Sequence, residues 1–191
     1  MIASWNMAGV LPPIWPGEDG HSPNRSPYLV TLTEVIEHFC STPERIASLD
    51  GFLNYRAALH QANIVKGFQW LDGSFLENVE VLESRAPKDV DVVTFFHIPN
   101  DQTQKSLLSQ DARLFDSALA KQAFAVDAYA FVLGEPTENR HVKQISYWYS
   151  MWSHRRDGTW KGFLQIDLAP NADAEAKQFL ASVKKEKEVL R

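Results

Sequence analysis

The stretch Asp89-Val90-Asp91-Val92-Val93 restricts the fold more than any other part of the chain. Its period of two reads as a strand, because successive side chains of an extended backbone point to opposite faces. Val90 and Val92 then share the face that feeds a core, and Asp89 and Asp91 share the other. At a rise of ~3.3 Å per residue the two acids lie about 7 Å apart and can both lean toward one cation. Upstream, the apolar run Phe68 to Asp72 predicts a strand that stops at the Gly73-Ser74 turn. The segment after the turn reads as partly helical or irregular, and Pro87 breaks it. Downstream, "FAVDAYAFVL" predicts a third strand with Asp127 inside it, where a charge is expensive unless paired, metal-bound or exposed.

Those residue types suit one chemistry. Hard cations such as Mg²⁺ take oxygen ligands, commonly one or two carboxylates plus substrate phosphates. If the third strand neighbours the one at 89–96, then Asp89, Asp91 and Asp127 converge, and such a site could hold two cations that stabilise the attacking and leaving oxygens of a phosphoryl transfer. Gly73 lets the backbone approach a ligand closely, and Ser74 offers a hydroxyl and an N–H to phosphate oxygens. Among His154, Arg155, Arg156 and Lys161, the best candidate for neutralising phosphate is Lys161, at the start of the predicted strand "WKGFLQIDL". The plainer alternatives are solvated strand acids, and a basic helix end followed by a hairpin.

The rest of the chain supplies the scaffold. Residues 1–30 are rich in Pro, Gly, Ser and Asn and should wrap the domain in extended form through Trp5, Val10, Leu11, Ile14 and Trp15. Residues 31–191 read as a single domain. Thr31-x-x-Glu34 is a capping box that opens a helix with Leu32, Val35, Ile36 and Phe39 on one side. Ser41 or Thr42 caps the next helix, with Pro43 in its first turn and Ile46, Leu49, Leu53 and Ala57 as its buried stripe. Helical spacing returns in "QTQKSLLSQDARLFDSALAKQ" and in "VKQISYWYSMW", the latter with Ile145, Trp148, Met151 and Trp152 inward. The order predicts an α/β (α+β) chain with a mixed sheet flanked by helices.

Charge and composition exclude some functions. With 19 basic and 24 acidic residues, the net charge of −5 argues against phosphate-driven binding of nucleic acid in general, while leaving room for a local basic patch. No apolar run approaches the ~20 residues of a membrane span. The N-terminus lacks the basic and apolar regions of a signal peptide. With the lone Cys40 read as buried filler, the expected location is cytoplasmic. The mixed-sign run at 184–188 reads as a solvated helix end, and the scattered histidines do not predict zinc.

The ordered set of Gly73-Ser74, Asp89-x-Asp91 and a later strand aspartate resembles the polymerase-beta-type nucleotidyltransferase superfamily. More narrowly, "GVLPP", "QWLDGSF", "DVDVV", "VDAYAF" and "YW…KGFLQI" are similar to a group of small bacterial proteins assigned to that fold. The resemblance is sharpest over residues 68–133. It implies a nucleotidyltransferase-like domain in which Gly73 and Ser74 contact the triphosphate while Asp89, Asp91 and Asp127 bind Mg²⁺ or Mn²⁺. The activity it implies is transfer of a nucleoside monophosphate from an NTP to a protein, RNA or small-molecule acceptor. On the leading reading of these residues, Asp127 completes the site and helps to deprotonate the acceptor. The alternative is a catalytically silent nucleotide-binding module, or the partner half of a toxin–antitoxin or phage-defence pair. A third reading is a metal-dependent phosphohydrolase using the same acids. One departure is Lys88, which stands where Ser or Asn often precedes the first aspartate.

Overall fold

The computed structural model describes residues 1–189 and contains one five-stranded mixed sheet. Its strands are β1 (Tyr28–Leu29), β2 (Gly67–Asp72), β3 (Val90–His97), β4 (Val126–Leu133) and β5 (Leu164–Asp167). The helices are α1 (Leu32–Phe39), α2 (Pro43–Gln61), α3 (Val79–Leu82), α4 (Gln104–Gln110), α5 (Ser117–Phe124), α6 (Asn139–Trp152) and α7 (Asp173–Val189). In space the strands run β1-β5-β2-β3-β4. β2 is antiparallel to β3 and β5, whereas β3–β4 and β1–β5 are parallel. A parallel pair needs a crossover, and α4 and α5 supply it between β3 and β4. This is the mixed α/β architecture expected of the sequence.

The helix starts follow local chemistry. Thr31 Oγ1 accepts from Glu34 N (3.1 Å) while Glu34 Oε2 accepts from Thr31 N (2.8 Å), closing the box that opens α1. Thr42 Oγ1 accepts from Arg45 N (3.2 Å) at the start of α2. Leu32, Val35, Ile36, Phe39, Ile46, Leu49 and Leu53 are all buried. Where the pattern predicted one helix over 102–122, the chain forms α4, a 3₁₀ turn at Ala112–Leu114, and α5. The cause is a pair of aspartates: Asp111 Oδ1 accepts from Arg113 N and Asp116 Oδ1 accepts from Leu119 N, both at 3.0 Å, so each caps a new turn. Leu108 and Leu119 are consequently exposed. β4 starts later than expected because α5 runs to Phe124 and Ala125 is left-handed (φ 54°, ψ 42°).

On one face of the sheet Gln69 meets Arg56 of α2 (2.6 Å), with α1 and α7 packed beside α2. On the other face an aromatic layer of Trp70, Phe95, Phe131 and Phe163 lies beneath α6. Trp148 meets Tyr129 at 4.5 Å, and Trp152 meets Phe163 at 6.0 Å. Ile145 and Met151, expected inward, are 39% and 41% exposed, because two tryptophans fill the width of that contact. The N-terminal segment buries Val10 and Leu11, and its Tyr28 and Leu29 pair with β5, so it contributes a strand. The run at 184–188 is partly docked: Lys184 Nζ lies 2.9 Å from Asp50, and Lys187 Nζ donates to Cys40 O at 2.9 Å. The side chain of Glu188 and the tail, Leu190 and Arg191, lie outside the described residues. Cys40 is half-buried, and burial raises its thiol. Among the described residues no helix is long and apolar enough to cross a membrane.

Two arginines of α2, both fully buried, tie the layers together. Arg56 binds Asp173 of α7 through Nε (2.9 Å) and Nη2 (2.7 Å), Gln69 of β2, and the carbonyl of Asp167 in β5 (3.1 Å). Arg45 sits among the rings of Trp5, Phe75 and Phe39, with its guanidinium carbon 5.3, 5.4 and 5.9 Å from their centroids. It donates to the carbonyls of Phe75 and Glu77 (2.6 Å each) and to Glu80 (2.5 and 2.8 Å). Arg45 thereby fixes the segment that follows Gly73-Ser74. Removing one partner of such a network leaves buried polar groups unmet, so Arg45→Met should lower stability by about 3 kcal/mol. Urea denaturation checks this; an unchanged midpoint would mean the network is dispensable.

Candidate functional site

The registers put three carboxylates in one row. Asp72 lies opposite Asp91 across the antiparallel β2–β3 pair, and Asp91 lies opposite Asp127 across the parallel β3–β4 pair. Directly opposed residues share a face of the sheet, with Cβ atoms about 5 Å apart. Asp89 sits just before β3, on the side of Asp91 by alternation. β4 is therefore the neighbour of β3, and Asp89, Asp91 and Asp127 are brought together. Asp72 joins them; the sequence reading took it only as the end of a strand. His97 stands at the far end of β3.

Each acid has a different environment. α5 grips both oxygens of Asp127: Ser117 Oγ donates to Oδ1, and Lys121 Nζ lies 2.6 Å from Oδ2. Ser117 and Lys121 are neighbours on the helix surface, at i and i+4. Lys121 Nζ also lies 3.4 Å from Asp89 Oδ2. Burial pushes the Asp127 carboxyl up, but Lys121 and Ser117 outweigh it and hold the group below its usual range. Asp127 raises the Lys121 ammonium in return.

Asp72 is 3% exposed, and its Oδ1 lies 3.0 Å from Lys161 Nζ, which is also 2.9 Å from Glu77 Oε1. Oδ1 is within ion-pair distance of the ammonium but off the direction of a hydrogen bond. Burial drives the Asp72 carboxyl up to about 7, against the pull of Lys161. Burial also lowers Lys161, but Asp72 and Glu77 more than reverse this, so the ammonium stays charged. Glu77 is held from its other side by Arg155 Nε at 3.2 Å. Lys161, read from the sequence as a phosphate contact, is thus 5% exposed and turned toward Asp72 and Glu77. The sequence put it at the start of a strand, but β5 begins only at Leu164, so Lys161 lies in the segment before it, and its two acidic partners left no mark in the sequence.

Asp91, in the middle of the row, has no ion-pair partner among the described residues. Burial, then Asp89 and Asp127, push its carboxyl to about 6. Its Oδ2 lies so close over Gly73 that a Cβ at that glycine would come within 1.7 Å. Gly73 itself has φ 81° and ψ −171°, a region that side chains essentially forbid. The glycine is required twice, for its backbone angles and for the carboxylate above it. Ser74 is half-buried and opens a single 3₁₀ turn, Ser74–Leu76, so it does not begin a long helix with a strong dipole.

The donors in this corner are all carboxylate oxygens, which suits a hard cation. Two ammonium groups serve five acids: Lys121 meets Asp89 and Asp127, Lys161 meets Asp72 and Glu77, and Asp91 is left over. Among the described residues no three Asp, Glu, His or Cys side chains are gathered closely enough to enclose a metal ion as they stand. The Lys121 ammonium bridges Asp89 and Asp127, at the β4 side of the row. Cavities of about 390, 320 and 200 Å³ lie around His97, Arg56 and Tyr149 respectively; no acid of the row lines them, but the last is lined by Lys161, the partner of Asp72.

Two predictions follow from this electrostatic strain. In the folded protein Asp91 titrates near 6, against ~3.9 in the unfolded chain. Between those values the native state keeps a proton that the unfolded chain has released, so stability falls as pH rises and the penalty is complete above the higher value. Without divalent ions, Asp91→Asn should raise Tm by about 5 °C at pH 8, from ~2 kcal/mol, and leave it unchanged near pH 4. A variant that melts lower at both pH values would remove the strain argument. Gly73→Ala should cost about 3 kcal/mol through backbone strain and displacement of Asp91, measured by urea denaturation.

In comparisons with known proteins, no curated protein and no solved structure matches the chain. One family model does, over residues 3–167, a span that holds all five strands, the Gly73-Ser74 turn and every acid of the row. The chain belongs to this family, described as a family of unknown function, DUF6932.

Proposed function

We propose that the protein is a metal-dependent nucleotidyltransferase that moves a nucleoside monophosphate from an NTP to an acceptor. The observation that carries this reading is Asp91: an unneutralised carboxylate seated directly over the Gly73 turn, flanked by the acids on either side. Such an arrangement lowers stability unless something positively charged completes it.

In this reading Asp89 and Asp91 hold the divalent ion, Mg²⁺ or Mn²⁺. Bound there, the ion would neutralise phosphate charge and orient the reacting oxygens. Gly73 keeps the turn free of a side chain, which lets the Asp91 carboxylate sit against its backbone, and Ser74 would offer a hydroxyl to phosphate oxygens beside that carboxylate. Asp127 is held ionised by Lys121 and Ser117, which makes it a weak proton acceptor. Its part is therefore charge and placement, in place of the acceptor-deprotonating role expected from the sequence. Lys161 and Arg155 fix Glu77 and Asp72 beneath the turn, and Arg45 fixes the carbonyls beyond it. They position the phosphate-binding turn and do not reach into it.

A silent nucleotide-binding module on the same scaffold is favoured by one specific observation, the Lys121 ammonium that already bridges Asp89 and Asp127. The two readings separate in one experiment. Incubation with α-labelled NTPs and Mg²⁺ or Mn²⁺ should transfer label and release pyrophosphate, and an Asp89→Ala/Asp91→Ala double variant should do neither. Equal labelling by both proteins would defeat the proposal, nucleotide binding without turnover would favour the silent module, and release of orthophosphate would indicate a hydrolase.

A further inference from the structure

We infer that Lys121 permanently takes one of the cation positions at the carboxylate row, so that the site accepts a single divalent ion, held by Asp89 and Asp91. This rests on the metal-dependent reading above and narrows it from the two cations that three converging aspartates suggest.

Lys121 lies on α5, and its carbonyl accepts from Ala125 N (3.0 Å), while the Ala125 carbonyl accepts from Val90 N (3.1 Å). The backbone carrying Lys121 is therefore tied through one residue to the first position of β3, next to both Asp89 and Asp91. The side chain is 44% exposed, yet its ammonium turns inward to two carboxylates instead of extending into water. Holding a long, flexible side chain in that way needs a favourable field, which the acids supply.

Ser117 and Lys121 already engage the two oxygens of Asp127, so this aspartate is the acid least available to a metal. Asp91 has no such partner, and Asp89 shares only the more distant contact with Lys121. Asp89, Asp91 and Asp127 together carry three negative charges, and Lys121 cancels one. The two that remain equal the charge of one divalent cation. A second divalent ion could enter only by expelling Lys121 from both of its partners.

The test counts metal ions on the intact chain without nucleotide, using Mn²⁺ alone. Free Mn²⁺ followed by electron paramagnetic resonance should give one ion per wild-type chain. Lys121→Gln should admit a second ion or bind the first at least about tenfold more tightly, whereas Lys121→Arg should behave as wild type. Because the Lys121 side chain is largely at the surface, Lys121→Gln is expected to fold, which its melting curve verifies. Two ions on the wild-type chain, or identical titrations for wild type and Lys121→Gln, would overturn the assignment of Lys121 while leaving a metal site intact. No Mn²⁺ on any of the three proteins would overturn the metal-dependent reading itself, and this inference with it.

Discussion

The carboxylate row is imposed by backbone hydrogen bonding. Once β2, β3 and β4 pair in register, Asp72, Asp91 and Asp127 are fixed in line and have no freedom to move apart. A slip of one residue would carry the acids to the opposite face, but it would also expose Val92 and bury charge against α2, so the register is held by the core. Repulsion among the acids is therefore answered from outside the row. Lys121 reaches Asp127 and Asp89 from α5, and Lys161 reaches Asp72 from the segment before β5. The middle acid is the one position where neither cation makes an ion pair.

A second framework lies behind that row. Arg45 and Arg56 are fully buried, and each joins α2 to elements distant in the chain. Arg45 spends its donors on the carbonyls after the Gly73 turn and on Glu80, within an aromatic cage that the N-terminal segment helps to build through Trp5. Trp5 adds a hydrogen bond of its own, from Nε1 to the carbonyl of Leu76 (2.7 Å). The extended N-terminus thus does more than cover apolar surface: it helps to set the shape of the turn beside the acids.

Much of this was legible in the sequence, for reasons that can be named. Alternation at 89–93 placed the acids of β3, Gly73-Ser74 marked the end of β2, and Thr31-x-x-Glu34 and Thr42-Pro43 marked two helix starts. These are local signals, each settled within a few residues. The pairing of Lys121 with Asp127 was not legible, because it depends on how α5 ends at Ala125 and turns into β4. Asp72 looked like a strand terminus because its partners, Asp91 and Lys161, lie far along the chain. Arg45 carries no mark of burial, since an arginine in the first turn of a helix is ordinarily at the surface. α6 misled in another way: apolar spacing pointed Ile145 and Met151 inward, and the bulk of Trp148 and Trp152 left no room for them.

The pairing of Tyr28 with Leu164 has a consequence for how the molecule assembles. The strand at Tyr28–Leu29 waits for one at Leu164–Asp167, so this edge of the sheet cannot close during synthesis until the residues between them and β5 itself have emerged. Lys161 emerges just before Leu164 and is delayed with it, whereas Lys121 precedes β4 and is present when Asp127 appears. A nascent chain therefore neutralises its acids in two instalments, first beside β4 and last beside β2. Until Lys161 arrives, Asp72 lacks the ammonium it faces in the folded chain.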